Sequence, residues 1–137
     1  MAQGSVEYLN PPELHNNPAF TQVVAANGPV KIVHIGTQNA VDGSGNIVGQ
    51  NDIAAQTEQT LKNVDACLKA AGAERKHIAL WTIYLVAGQS IQQAFEAAQP
   101  WLKDMPHAPA NNVLIVAGFP NPAFLIGIEV TAFVPEG

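Results

Sequence analysis

The chain has 137 residues, of which 47% are hydrophobic and only 12% charged, about half of the roughly 25% usual for soluble domains. Its net charge of −5 and six scattered basic residues (Lys31, Lys62, Lys69, Arg75, Lys76 and Lys103) leave no stripe to displace phosphate counterions, so no nucleic-acid partner is expected. Cys67 is the one cysteine and the four histidines lie far apart, which excludes an intrachain disulfide and gives no metal-ligand spacing.

In chain order, the opening stretch MAQGSVEYLN has neither a basic nor an apolar leader region, and no run is long enough to span a membrane. A cytoplasmic protein is expected. Residues 5–9 and 20–26 read as short strands, and VKIVHIGTQNAV (30–41) as a longer one. The turn DGSGN (42–46) and a return strand at Ile47-Val48-Gly49 would make it a hairpin. Between 52 and 71 the period changes: Thr57, Leu61, Val64, Leu68 and Ala71 form one stripe of an amphipathic helix. Asn51 or Asp52 caps its start and Gly72 its end, with Arg75 and Lys76 near the negative end of its dipole.

HIALWTIYLV (77–86) is rich in β-branched and aromatic residues and predicts a buried strand. Ser90 begins a second helix with Ile91, Ala94, Phe95, Ala98, Leu102 and Met105 inward, and Pro100 should kink or break it. NVLIVAGF (112–119) and AFLIGIEVTAF (123–133) are the last strands, separated by Pro120-Asn121-Pro122. The sum is a single α+β domain over 1–137, a mixed sheet with two helices on one face. The other face is apolar and calls for a second copy of the chain, so a homo-oligomer is expected.

For chemistry, no GxSxG motif occurs, and the glycines of GSGNIVG (43–49) follow a strand without opening a helix. Glu129 stands out as the only acid between Asp104 and Glu136, in the middle of an apolar strand. Alternation puts it on one face with Leu125, Gly127 and Thr131. It either faces water or, if buried between subunits, becomes a general acid/base through desolvation.

IGTQNAVDGSGNIVG, AAQTEQTLKNVDACLKAAGA and APANNVLIVAGFPNPAFLIGIEV together resemble the RidA/YjgF family, also called L-PSP endoribonuclease-like. The likeness runs from about residue 18 to 134. It is carried by Gly-x-Gln after the first long strand, by Gln56, Thr57, Leu61 and Asn63 on the helix, and by the final Ile-Glu-Val. The resemblance implies a chorismate-mutase-like fold and a homotrimer around a central barrel, with small-molecule clefts between subunits. Its implied activity is the cofactor-independent hydrolysis of enamines and imines such as 2-aminoacrylate to a keto acid and ammonia.

Carried over by position, Glu129 is the retained catalytic glutamate, and Gly36, Thr37 and Gln38 are the Gly-x-Gln segment. The arginine that grips the substrate carboxylate follows a Pro-Ala pair; after Pro109-Ala110 this chain has Asn111. The family tyrosine is replaced by Phe20. Asn112, Tyr84 and His107 complete the expected ligand set, with His107 or His34 as a substitute cation. Exchanging a bidentate Arg–carboxylate pair for one neutral amide bond costs about 2–4 kcal/mol, on the order of 30- to 1000-fold in affinity. Ordinary 2-aminoacrylate deaminase activity is therefore expected to be weak or absent. A neutral substrate suits Asn111 better, since an amide both donates and accepts. The alternative is a non-catalytic metabolite binder, and an endoribonuclease is the least favoured reading.

Overall fold

The computed structural model describes residues 3–137; Met1 and Ala2, part of the opening stretch read as carrying no leader, lie outside them. Strands β1 (Ser5–Leu9) and β2 (Val23–Asn27) form an antiparallel two-stranded ribbon. Strands β3 (Val30–Gln38), β4 (Ile78–Val86), β5 (Ala110–Val116) and β6 (Ile126–Pro135) form a four-stranded sheet in the order β3-β6-β4-β5. β6 is antiparallel to both its neighbours, and β5 runs parallel to β4. Helices α1 (Ile53–Ala70) and α2 (Ile91–Leu102) lie on one face, as expected. Among the described residues, no helix is long and apolar enough to cross a membrane.

The core forms because period 2 on the strands and period 3.6 on α1 aim apolar side chains at the same layer. Val33 and Ile35 of β3, Trp81 and Leu85 of β4, and Ile126, Ile128, Val130 and Ala132 of β6 meet Leu61, Val64 and Leu68 of α1. Asp52 caps α1 by accepting the Ala55 N–H at 3.1 Å. Gly72, at φ +70°, supplies the left-handed residue that ends it. The Lys31 ammonium then donates to the freed Ala71 carbonyl at 2.6 Å.

Three expectations need correction. The hairpin after β3 shrinks to one isolated bridge, Val41 to Ile47. Side chains compete with a ladder there. Asp42 accepts the N–H groups of Ser44 and Asn46, and the Asn63 amide on α1 donates to the Asn39 and Val41 carbonyls, each at 2.8 Å. The second helix also runs through Pro100 to Leu102 instead of breaking. Pro100 lies in the last turn, and both it and Glu96, whose carbonyl it deprives of a partner, are exposed to solvent.

The third correction concerns the inner face of α2, of which Ala94, Ala98, Leu102 and Met105 pack against the core as expected. Ile91 and Phe95 are more than half exposed, and the only buried residue of the helix is Trp101, which stacks on Trp81 with ring centroids 5.7 Å apart. α1 approaches β3 and β6 closely, whereas α2 packs on α1 and approaches no strand so nearly. A space therefore remains between α2 and the sheet.

Candidate functional site

β4 and β6 pair so that Thr82 lies opposite Glu129 and Tyr84 opposite Gly127. Parallel pairing of β4 with β5 sets Asn112 beside Thr82, and β3 sets His34 beside Thr131. All these side chains share the face away from the helices. There the Tyr84 hydroxyl donates to Glu129 Oε1. Asn112 Nδ2 approaches Thr82 Oγ1 at 3.4 Å, and His34 Nδ1 lies 3.0 Å from Thr131 Oγ1. His34, Gly36, Leu80, Thr82, Glu129 and Thr131 help to line a hollow of about 390 Å³.

The Gly-x-Gln segment bends toward this cluster. A register shift between Ile35 and Gln38 breaks the β3–β6 ladder. Thr37 Cγ2 and the Phe119 ring come within 2.7 and 2.9 Å of where a β-carbon on Gly127 would sit. Any side chain at 127 would have to push them away, so the glycine lets both close over β6 next to Tyr84. Gln38 turns elsewhere, its amide donating to the Gly36 carbonyl at 3.0 Å.

The remaining expected site residues lie apart from this cluster. Asn111 precedes Asn112 on β5 and so points to the opposite face, where it lines the space beneath α2 with Trp81 and Val113. Phe20 sits in the loop before β2, edge-on to His15. That loop is fastened to the approach to β5: the Thr21 N–H donates to the Pro109 carbonyl at 3.1 Å, and its hydroxyl to that of Ala108. His107 stacks on Tyr8 at 4.4 Å. One protomer thus assembles Glu129, Tyr84, Asn112, Gly36 and Thr37, and leaves Asn111, Phe20, His107 and Gln38 outside. Thr82 and Thr131 were not singled out from the sequence. Thr82 was detectable as a polar residue in register with Tyr84 inside an apolar strand.

The family model of Endoribonuclease L-PSP matches residues 13–134, nearly the whole chain. The chain belongs to that family. It is similar to the Rid-family protein YyfB of Yersinia pestis, with 29% identity over 93% of this chain and 97% of the other, at a TM-score of 0.81. It is also similar to a putative endoribonuclease of Thermotoga maritima (28% identity, 86% and 87% covered, TM-score 0.68). The YjgF gene product of E. coli matches at 25% identity over 74% and 79%, with a TM-score of 0.65. No curated protein matches the chain by sequence. These relatives share its α+β architecture, two helices on a mixed sheet.

The electrostatics of the cluster centre on Tyr84. Its hydrogen bond to Glu129 raises the phenol pKa above the usual value, helped by burial and by the carboxylate charge. Tyr8 is also raised, by burial alone. Ionising Tyr84 removes the donor, so the stability it contributes is complete below about pH 10 and disappears as pH climbs through the raised folded value. With only two tyrosines in the chain, tyrosinate absorbance resolves them directly. Both should titrate above about 10, and Glu129→Gln should bring Tyr84 down while Tyr8 stays. An unchanged pair of steps would refute the Tyr84–Glu129 bond. Among the described residues, no group of three or more His, Cys, Asp or Glu side chains is placed to hold a metal.

Proposed function

We propose that this chain acts as a cofactor-independent hydrolase of neutral imines or enamines, assembled as a homotrimer with a small-molecule cleft at each seam. The observation that carries this reading is the Tyr84–Glu129 pair, a carboxylate and its donor on a sheet face whose other residues include exposed Ile32, Leu80 and Leu114. An exposed apolar face of this kind favours self-association, which would also take the pair out of bulk water. Asn111 and Glu129 point to opposite faces of one sheet, so they share a site only when contributed by different protomers. Exposed Val113, Leu114 and Ile115 on edge strand β5 make that edge suited to the contact.

In the proposed reaction Glu129 takes a proton from water as the water oxygen bonds to the imine carbon. Glu129 passes that proton to the imine nitrogen, then carries the hydroxyl proton of the carbinolamine to the same nitrogen as the C–N bond breaks, leaving a carbonyl and ammonia. Tyr84 holds the carboxylate in place until the proton moves. Without an arginine at position 111, carboxylate-bearing substrates are gripped weakly, and 2-aminoacrylate should be a poor substrate.

Native mass measurement should give three times the 14.5 kDa chain mass. Ammonia release from a neutral N-unsubstituted imine should fall about 100-fold or more in Glu129→Gln, in keeping with loss of a general base. Turnover untouched by that substitution would sink the catalytic reading. A compound that raises the melting temperature and is recovered unaltered would put a non-catalytic metabolite binder in its place, a reading favoured by the neutral amide at position 111. RNA cleavage, suggested by the family's name, is opposed by the net charge of −5.

A further inference from the structure

Asn27-Gly28 is the only Asn-Gly pair in the chain, and it lies exposed where β2 turns toward β3. Gly28 takes φ +72°, and its N–H has no acceptor among the described residues. Across the ribbon, Asn27 Nδ2 donates to Glu7 Oε1 at 2.6 Å, a bond that engages the amide nitrogen and leaves the side-chain carbonyl unpartnered among the described residues. No other asparagine has such a neighbour. Asn10, Asn17 and Asn121 precede proline, which has no N–H. The rest precede residues whose side chain shields the main-chain nitrogen from the amide. Glycine removes that shield.

The turn also sits at a crowded joint. A β-carbon on Gly4 would overlap the Pro29 carbonyl, and one on Gly28 would lie 3.0 Å from the Gln3 carbonyl oxygen. The Gly4 N–H donates to the Glu136 carbonyl at 2.8 Å, and the Glu136 N–H donates to the Pro29 carbonyl at 2.9 Å. The β1–β2 ribbon pairs with no strand of the four-stranded sheet. These two bonds therefore tie this end of the ribbon to the end of β6.

We propose that Asn27-Gly28 is a self-modifying site, at which deamidation unfastens the ribbon from β6. The Gly28 nitrogen gives up its proton and bonds to the Asn27 side-chain carbonyl carbon. The bond from that carbon to Nδ2 breaks, and ammonia leaves with the proton. Water then opens the resulting cyclic imide at one carbonyl or the other, giving aspartate or isoaspartate at position 27. Aspartate sets a second carboxylate against Glu7 where a donor stood, and like charges at that separation repel. Isoaspartate routes the main chain through a former side chain, adding a methylene to a joint that has no room for a methyl group on Gly4. Either product works against the two Glu136 bonds. The change is independent of the imine chemistry assigned to Glu129.

Incubating the full chain in warm, mildly alkaline buffer and sequencing its peptides by mass spectrometry tests this. Asn27 should convert about tenfold or more faster than Asn16 or Asn46, which precede Asn17 and Ile47. In the converted protein, hydrogen exchange at Gly4 and Glu136 should speed up while α1 keeps its protection. Asn27→Gln, whose longer side chain would have to close a six-membered ring, should abolish the fast conversion. Asn27→Asp should reproduce the faster exchange, and adding Glu7→Gln to it should restore most of the protection, because the repelling charge is gone. Conversion at Asn27 no faster than at Asn16, converted protein in which Gly4 and Glu136 exchange as before, or an Asn27→Asp variant indifferent to Glu7→Gln would overturn the proposal.

Discussion

Replacing Gln56 with Met should cost about 3–6 kcal/mol. Gln56 sits on α1 with no exposed surface at all. Its amide nitrogen donates to the Gly49 carbonyl at 3.1 Å and to the Ala123 carbonyl at 2.8 Å, and its carbonyl accepts the Leu125 N–H at 2.8 Å. One side chain thus satisfies three backbone groups in two loops that have no ladder of their own, one entering α1 and the other entering β6. Methionine matches its length and removes every bond, leaving each backbone group with a desolvation cost of about 1–3 kcal/mol. Total stabilities of such domains lie near 5–15 kcal/mol, so the variant should sit close to unfolding. The denaturant midpoint should fall with the slope unchanged, while Gln93→Met, on the exposed side of α2, should stay within about 0.5 kcal/mol. A Gln56→Met loss below about 1 kcal/mol would mean that water or a shifted loop replaces the amide.

Gln56 also explains what the sequence could and could not disclose. Its place in the Gln-Thr-x-x-x-Leu-x-Asn pattern marked the family, but the pattern alone left its role open. The structure assigns the polar members to loop anchorage: Gln56 holds 49 and 123–125, Asn63 holds 39 and 41, and the Thr57 hydroxyl donates back to the Ile53 carbonyl. α1 and β6 were legible because their apolar periods continue for many residues and both meet the core. The return strand after Val41 was not, because Asp42 and Asn63 offer its backbone side-chain partners that no period reveals. The apolar spacing on α2 was read correctly as a stripe, yet its methyl groups are too short to reach the sheet and enclose a cavity instead.

The site was only half legible for a related reason. Neighbouring residues on a strand face opposite ways, so Asn111 and Asn112 could never share one pocket within a protomer. Glu129 was found because a lone acid interrupts an apolar run, and that signal survives without a partner. Its companion Tyr84 lies 45 residues away in sequence, and only the β4–β6 register brings them together. Phe20 was placed by position within the family pattern and His107 as a substitute cation, and the bonds of Thr21 to 108 and 109 put both near the start of β5. From there neither reaches the Glu129 face of its own protomer.

Arg75 carries the second large effect. The sequence offered the dipole of α1 as its reason for being there, but its bonds run sideways to a second element. Arg75 Nε and Nη2 donate to the two carboxylate oxygens of Asp65 at 2.9 and 2.8 Å, a fork matched to a fork. Nη1 donates to the Trp101 carbonyl at 3.0 Å and to Asp104 at 2.7 Å, and the guanidinium lies 4.5 Å above the Trp101 ring. The Trp101 indole N–H closes the network on Asp65 at 3.0 Å. Arg75 therefore joins α1 to the end of α2, the helix that no strand holds closely. Asp104 is 71% exposed and Asp65 only 36%, so solvent screening leaves the Asp65 fork as the stronger of the two pairs. Arg75→Met should cost about 2–4 kcal/mol, and Arg75→Lys, a point charge that cannot bridge both oxygens, about 1–2 kcal/mol. Asp104→Ala should cost no more than about 1 kcal/mol. The order is the test: if Asp104→Ala matched Arg75→Met in a denaturant titration, the exposed pair would be the anchor and the fork incidental. If Arg75→Lys were neutral, charge without geometry would suffice to hold α2 over its cavity.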